Sequence, residues 1–194
     1  MRSMFDLQRF IEACRAAVAE ADGALAVREL VTEAVSDPAA LAAALGEPEH
    51  AGIQALHRAA NLTVLHFTWA PWMSLKPHNH TMWSVVGIFS GREDNVFWRR
   101  TRDSIEAHGA RTLGPGETTM LGAEAIHSVV NPIGKRSRAI HVYGGDFFAP
   151  ERPRSEWDHE ALAERPWDMD DTRRLFAEAE MRSRAGTPAR NERS

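Results

Sequence analysis

The pattern of hydrophobic and polar positions divides the chain into three parts, of which the first is helical. In residues 1–46, apolar side chains recur every three or four positions, which is the spacing of an amphipathic helix. Gly23 interrupts this pattern. Asp37 followed by Pro38 has the form of a helix start, and Gly46 has the form of the corresponding helix end.

From residue 61 onwards, short apolar runs rich in β-branched and aromatic residues alternate with glycine and proline turn signals. Such runs predict β-strands, and their close spacing favours a sandwich or barrel over alternating βαβ units. Pro77 and the pair His108-Gly109 are interpreted as turn positions. The predicted strands lie at residues 61–69, 83–89, 95–99, 118–121, 128–130 and 139–143.

Beyond residue 144 the sequence becomes polar. Residues 172–183 have a helical pattern, and residues 186–194 have the composition of a disordered tail. We therefore predict a single domain over residues 1–185. It consists of a helical part (1–46), a β-barrel (about 50–150) and a C-terminal helical arm (151–185).

Length, composition and charge limit the class of protein. The chain has 194 residues, 43% of them hydrophobic and 26% charged, with a formal net charge of -4, as in an ordinary soluble domain. This charge gives no general attraction for nucleic acid, and no apolar run approaches the ~18 residues of a membrane span. The single cysteine, Cys14, permits no internal disulfide, and the N-terminus lacks the apolar core of a signal peptide. We expect a cytoplasmic protein.

The candidate chemistry lies in the histidines. His78 and His80 open the β region, and in an extended segment side chains two residues apart point to the same face. Their imidazoles can then bind one metal ion, with His127 from a later strand as the third ligand. The alternative is a chance HxH pair with no metal role.

These residues give the chain a resemblance to the cupin superfamily. The first cupin motif is HxH followed by a Glu and a Gly, and the second contains a Pro and Gly turn, a His and an Asn. The resemblance implies a mainly β fold, the cupin double-stranded β-helix or jelly-roll barrel. The Glu of the first motif is missing here, because Trp83 and Ser84 occupy its possible positions. The matching residues are His78, His80, Gly91, Pro115, Gly116, His127 and Asn131.

A cupin with three histidines, a Trp before the substituted position and His-x-Tyr on a late strand resembles the thiol dioxygenase family. This family comprises cysteine dioxygenase and 3-mercaptopropionate dioxygenase. The resemblance implies that the three histidines bind non-haem Fe2+. It also implies that O2 oxidises a small thiol, a mercapto acid or a cysteine-like compound, to its sulfinic acid. Three neutral imidazoles leave about half of an octahedral shell open for the thiolate and dioxygen.

Two further residues carry catalytic roles that the resemblance implies. Tyr143 is expected to direct its hydroxyl at the iron, and His141, two residues earlier on the same strand, is expected to orient it. A Ser two residues before this His usually completes the relay in the family, and the residue here is Ala139. The alternative is a buried Tyr and His that hydrogen-bond only to the backbone.

The substrate carboxylate needs an anchor, for which a guanidinium fork is best suited. Arg152 follows Tyr143 by nine positions, the spacing of the mercaptopropionate type. Arg58 and Gln54 lie near the upstream position used in the cysteine type. Trp83 is a candidate for the wall of the pocket beside the iron.

Two other functions are compatible with these motifs. One is a three-His cupin dioxygenase that cleaves C–C bonds, and the other is a non-catalytic cupin that binds a metal or a small ligand. Zinc or nickel also fits three imidazoles, because metal affinity follows the metal series more closely than it follows function.

Overall fold

Helices flank two antiparallel sheets in the computed structural model, which describes residues 4–186. The predicted tail at 186–194 falls almost entirely outside the described residues. The helices are α1 (Leu7–Ala17), α2 (Gly23–Ser36), α3 (Pro38–Leu45) and α4 (Met169–Arg184). The strands are β1 (Gly52–Ala59), β2 (Leu62–Trp69), β3 (Ser74–Asn79), β4 (Ser84–Ser90), β5 (Glu93–Arg100), β6 (Ile105–Leu113), β7 (Thr118–Leu121), β8 (Ile126–Val130), β9 (Ser137–Tyr143), β10 (Ser155–Trp157) and β11 (Glu164–Pro166).

The order of the strands identifies the fold. The first sheet has the order β1-β2-β9-β4-β7, and the second has the order β11-β10-β3-β8-β5-β6. From β2 to β9 the chain passes alternately between the two sheets, except at the β5–β6 hairpin. This is the topology of an eight-stranded jelly roll built from two Greek keys. The predicted fold class, a cupin-type double-stranded β-helix with N-terminal helices and a C-terminal helix, is confirmed.

The central strands of the first sheet are buried on both faces, and every residue of β2 and β9 is buried. Its inner face, with Leu65 and Phe67, packs toward the second sheet. Its outer face, with Val64 and Val142, packs against the N-terminal helices. Cys14 lies in this outer cluster, and burial raises the pKa of its thiol to about 12.

The predicted start and end of the third helix are confirmed. The side chain of Asp37 accepts a hydrogen bond of 3.1 Å from the backbone N–H of Ala40, and Pro38 occupies the first helical position. Gly46 ends the helix with a φ of 69°. No helix within residues 4–186 is long and apolar enough to cross a membrane.

The two turn positions expected at Pro77 and His108-Gly109 were wrong, because both lie within strands at β-bulges. In β3 the register shifts between Leu75 and His78, so Pro77 lies where the ladder is interrupted and no N–H is needed. In β6, His108 is the extra residue of a bulge opposite β5.

Candidate metal centre

The three predicted ligands converge inside the barrel. His78 on β3 lies directly opposite His127 on β8, and His80 follows β3 on the same side. The Nε2 atom of His80 lies 3.2 Å from Nε2 of His78 and 3.4 Å from Nε2 of His127. One ligand atom from each residue lies within 4.8 Å of the others, and all three side chains are buried. The set has the geometry of a binding site for a single metal ion.

Hydrogen bonds at the Nδ1 atoms of the three histidines orient the rings so that their Nε2 atoms converge. A carbonyl or amide oxygen only accepts, so His78 and His127 each donate Nδ1–H and direct the lone pair of Nε2 at the common point. The partners of the Nδ1 atoms are Lys76 O for His78 (2.8 Å), Asn95 Oδ1 for His127 (2.8 Å) and Ser84 Oγ for His80 (3.2 Å).

The charge state of the rings also suits a cation. Burial lowers the pKa of His78 to about 4, against the opposing effect of its hydrogen bond to Lys76. Burial, and then the neighbouring histidines, hold the pKa values of His80 and His127 well below 6.5. Three neutral imidazoles with lone pairs directed at one buried point form a favourable donor set for a divalent metal.

No carboxylate joins the three histidines among the described residues. Ser84 stands four residues after His80, where the cupin Glu is expected, and its hydroxyl faces His80 Nδ1 rather than the centre. Trp83 does not line the cavity, because it packs in the outer cluster against Gly144. A Cβ at Gly144 would lie 2.1 Å from the indole, so glycine is required there.

His141 and Tyr143 do meet at the centre, as the alternation along β9 predicts. His141 Nδ1 lies 3.0 Å from the hydroxyl of Tyr143, whose ring packs edge-on against His80 at 5.1 Å between centroids. Burial raises the pKa of Tyr143 and lowers that of His141 to about 3. At neutral pH the phenol therefore keeps its proton and the imidazole is uncharged.

Glu93 lies behind this pair, a position that the motifs did not reveal. The carboxylate is fully buried; its Oε1 accepts a 2.9 Å hydrogen bond from Asn95 Nδ2, and its Oε2 lies 3.9 Å from His141 Nε2. Burial raises the pKa of Glu93 to about 7, while the hydrogen bond from Asn95 and the nearby indole N–H of Trp69 act in the opposite direction. The one signal in the sequence is that Glu93 and Asn95 are two residues apart on one strand, so their side chains point to the same face.

Arg154 is the buried cation beside the cavity, and sequence reasoning missed it. The side chain is 8% exposed, and its guanidinium packs over the rings of Phe147 (4.6 Å) and Trp167 (3.9 Å), which line the cavity. Burial lowers the pKa of Arg154 to about 10, so it remains charged at neutral pH. This charge contributes to the lowered pKa values of His78 and His80.

The predicted carboxylate anchors lie elsewhere. The side chain of Arg152 is 56% exposed and binds Glu124 at 2.8 Å. Arg58 forms a two-pronged ion pair with Asp146, at 2.9–3.0 Å. Gln54 is exposed on the outer side of β1. The structure brings none of these three side chains to the metal centre.

Unpaired buried polar atoms are concentrated around this centre. Most of those found in residues 4–186 belong to side chains that line the cavity or touch its lining. Buried polar groups without partners are rare in proteins, and a cluster of them marks a functional site. The atoms are Trp69 Nε1, Glu93 Oε2, His141 Nε2, Arg154 Nη1 and Trp167 Nε1.

Comparison with known structures finds distant similarities. No protein-family model matches the chain. A cupin superfamily protein from Desulfitobacterium hafniense is 18% identical with a TM-score of 0.43, covering 54% of this chain and 87% of its own. An RmlC-like cupin from Methanocaldococcus jannaschii is 9% identical (TM-score 0.44, 53% and 86% covered). A Cupin 2 conserved barrel domain protein from Salinispora arenicola is 17% identical (TM-score 0.40, 66% and 84% covered).

The geometry predicts one divalent metal ion per chain. We expect His80→Ala to abolish stoichiometric binding, because it removes the ligand shared by both short Nε2 contacts. Asn95→Ala should weaken binding by about 10–100-fold, since it removes the acceptor that orients His127. Metal content after dialysis and competition titration with a chelator measure both effects.

His108→Ala is the control, because His108 is exposed on β6. It should bind metal as the wild type does. Full metal retention by His80→Ala would contradict the assignment of the centre.

Proposed function

We propose that the protein is a non-haem Fe2+ thiol dioxygenase that converts a small anionic thiol, a mercapto acid or a cysteine-like compound, to its sulfinic acid with O2. The observation that carries the proposal is a three-His centre without a carboxylate, with a hydrogen-bonded His141–Tyr143 pair beside it. Bound Fe2+ would supply the redox chemistry with dioxygen and a position for the substrate sulfur.

The charge of the site favours a substrate with two negative groups. Neutral imidazoles leave both charges of a divalent metal uncompensated, and Arg154 adds another positive charge nearby. A thiolate at the metal and a carboxylate at the guanidinium would balance most of this charge inside the barrel. A carboxylate ligand in place of Ser84 would reduce the attraction for the thiolate.

Arg154 is the best candidate for the carboxylate anchor. Within the described residues, Nη1 of its side chain is buried without a hydrogen-bond partner. The guanidinium packs over the rings of Phe147 and Trp167, which line the cavity, and its Nη1 edge has no partner within residues 4–186. This edge is the part of arginine that binds a carboxylate with two parallel hydrogen bonds.

Tyr143 contributes a neutral hydroxyl at the centre. Because burial raises its pKa, the phenol stays protonated and can donate a hydrogen bond to substrate in the cavity. Its ring is fixed by His80 and by Phe147, at 5.1 and 4.6 Å between centroids. The hydroxyl is therefore held in place before substrate binds.

Substrate binding requires the cavity to enlarge. The space open to the centre of a water molecule is about 10 Å³, enough for one water. Trp167, between β11 and α4, forms part of the wall, and a groove of about 450 Å³ lies beyond Ile53 between β1 and α4. We infer that the Trp167 segment moves outward to admit the thiol.

The activity is tested on protein loaded with Fe2+ under anaerobic conditions and then mixed with oxygenated buffer and a panel of small thiols. We expect thiol-dependent oxygen uptake, with both atoms of 18O2 recovered in a sulfinate by mass spectrometry. Carbon–carbon cleavage products without sulfinate would indicate the alternative of a three-His cupin dioxygenase that cleaves C–C bonds. No oxygen uptake by fully loaded protein would indicate a non-catalytic cupin, and either result would reject the proposal.

The anchor is tested by Arg154→Met. Loss of a charged hydrogen-bonding partner costs about 1.5–3 kcal/mol, so kcat/KM for the anionic thiol should fall by about 10–100-fold. A thiol without the carboxylate should be affected much less. Steady-state kinetics with both substrates give this difference.

Arg99→Met is the matched control, since Arg99 is an exposed arginine on β5 paired with Glu106. It should retain wild-type kinetics. Arg152→Met tests the candidate from the sequence in the same assay. A large loss of kcat/KM in Arg152→Met together with none in Arg154→Met would show that the anchor is misassigned.

A further inference from the structure

One buried carboxylate, that of Glu93, lies close both to the hydrogen bond that orients the ligand His127 and to the His141–Tyr143 pair. Glu93 accepts a hydrogen bond from Asn95, whose amide oxygen accepts from the metal ligand His127. The other oxygen of Glu93 faces His141 Nε2 from the opposite sheet, and His141 in turn contacts the hydroxyl of Tyr143. Ala139 has no polar side chain that could interact with His141. Glu93 is therefore the group that lies beside Nε2 of His141, the ring nitrogen that does not contact Tyr143.

We propose that Glu93 is a positioning residue that sets the direction of the hydrogen bond between His141 and Tyr143. Its consequence for turnover rests on the proposed function, whereas the hydrogen-bond direction itself does not. Through Asn95 the same carboxylate fixes the ring of His127, so it couples the orientation of a ligand to that of the tyrosine.

The direction follows from proton counting. A neutral imidazole carries one N–H. When Glu93 is ionised, it accepts from His141 Nε2–H, so the bare Nδ1 must accept from Tyr143, and the hydroxyl proton points away from the cavity. When Glu93 is protonated, it donates to Nε2, Nδ1–H donates to the Tyr143 oxygen, and the hydroxyl proton is free to point into the cavity.

Both arrangements are accessible near neutral pH because burial raises the pKa of Glu93 to about 7. The groups around the carboxyl are few. The hydrogen bond from Asn95 and the nearby indole N–H of Trp69 lower this pKa, and Asp94 on the same strand raises it. Asp94 is itself ion-paired with Arg92 at 2.8 Å, and His141 faces the carboxyl from β9.

The present distance of 3.9 Å between Glu93 Oε2 and His141 Nε2 is longer than a hydrogen bond. Both atoms are buried and have no other partner within residues 4–186. A small rotation of the carboxylate about its bond to the rest of the side chain would join them. Either protonation state then satisfies two buried atoms that are otherwise unpaired.

The test reads the tautomer directly. The protein is labelled with 15N at histidine and loaded with Zn2+, and NMR distinguishes Nδ1–H from Nε2–H at His141. In the wild type we expect Nε2–H about one pH unit above the Glu93 pKa of about 7 and Nδ1–H about one unit below it. Since this measurement needs no variant, a folding failure cannot obscure it.

Glu93→Gln provides the second arm. Its amide oxygen accepts from Asn95 and its amide nitrogen donates to His141, so this variant should show Nδ1–H at every pH. In the iron-loaded form, the wild-type pH profile of kcat should contain a transition that Glu93→Gln lacks. Glu106→Gln, on the exposed side of β6, is the matched control and should behave as the wild type does.

A His141 tautomer that stays the same across this pH range, or that is identical in wild type and Glu93→Gln, would overturn the inference. The two proposals fail separately. A tautomer that follows Glu93 in a protein without oxygen uptake would reject the dioxygenase and keep the role of Glu93. Oxygen uptake by a protein whose His141 tautomer does not change would keep the dioxygenase proposal and reject the role of Glu93.

Discussion

The structure depends on hydrogen bonds that direct three imidazole lone pairs at one buried point. His78 and His127 donate Nδ1–H to fixed oxygens, so their Nε2 atoms cannot carry protons while the rings are neutral. His80 Nε2 lies 3.2–3.4 Å from these two atoms, and burial keeps its ring neutral. The three Nε2 atoms could hold one metal cation, and the jelly roll supplies the strands that keep the rings in place.

Glu93 and Arg154 near this point are ionisable groups whose burial costs free energy. Buried ionisable groups with shifted pKa values are typical of functional sites. The pKa of Glu93 rises from 4.5 to about 7, because burial favours its protonated form in the folded state. Its contribution to stability is therefore fully present below about pH 4.5 and is lost as the pH rises to about 7. Burial also disfavours the charged form of Arg154 and lowers its pKa to about 10, but the side chain stays charged at neutral pH.

Much of the fold and the ligand set could be predicted, because both depend on local patterns. The HxH spacing places His78 and His80 on one face wherever the chain is extended, and buried strands show as apolar runs. Strands β1, β3, β6, β10 and β11 carry no such runs and were not among the predicted strands. Spacing also could not show that Arg154 is buried and Arg152 exposed, because the rings that hold Arg154 come from distant positions. The contact between Glu93 and His141 joins two sheets, and no local pattern encodes it.

X-ray absorption at the iron edge tests whether three neutral histidines hold the metal and leave positions for a substrate thiolate. In the loaded protein we expect nitrogen and oxygen scatterers around the iron, including three imidazoles. Anaerobic addition of the thiol that supports turnover should add a sulfur scatterer. Iron bound by fewer than three imidazoles, or a first shell without sulfur at saturating thiol, would contradict the account.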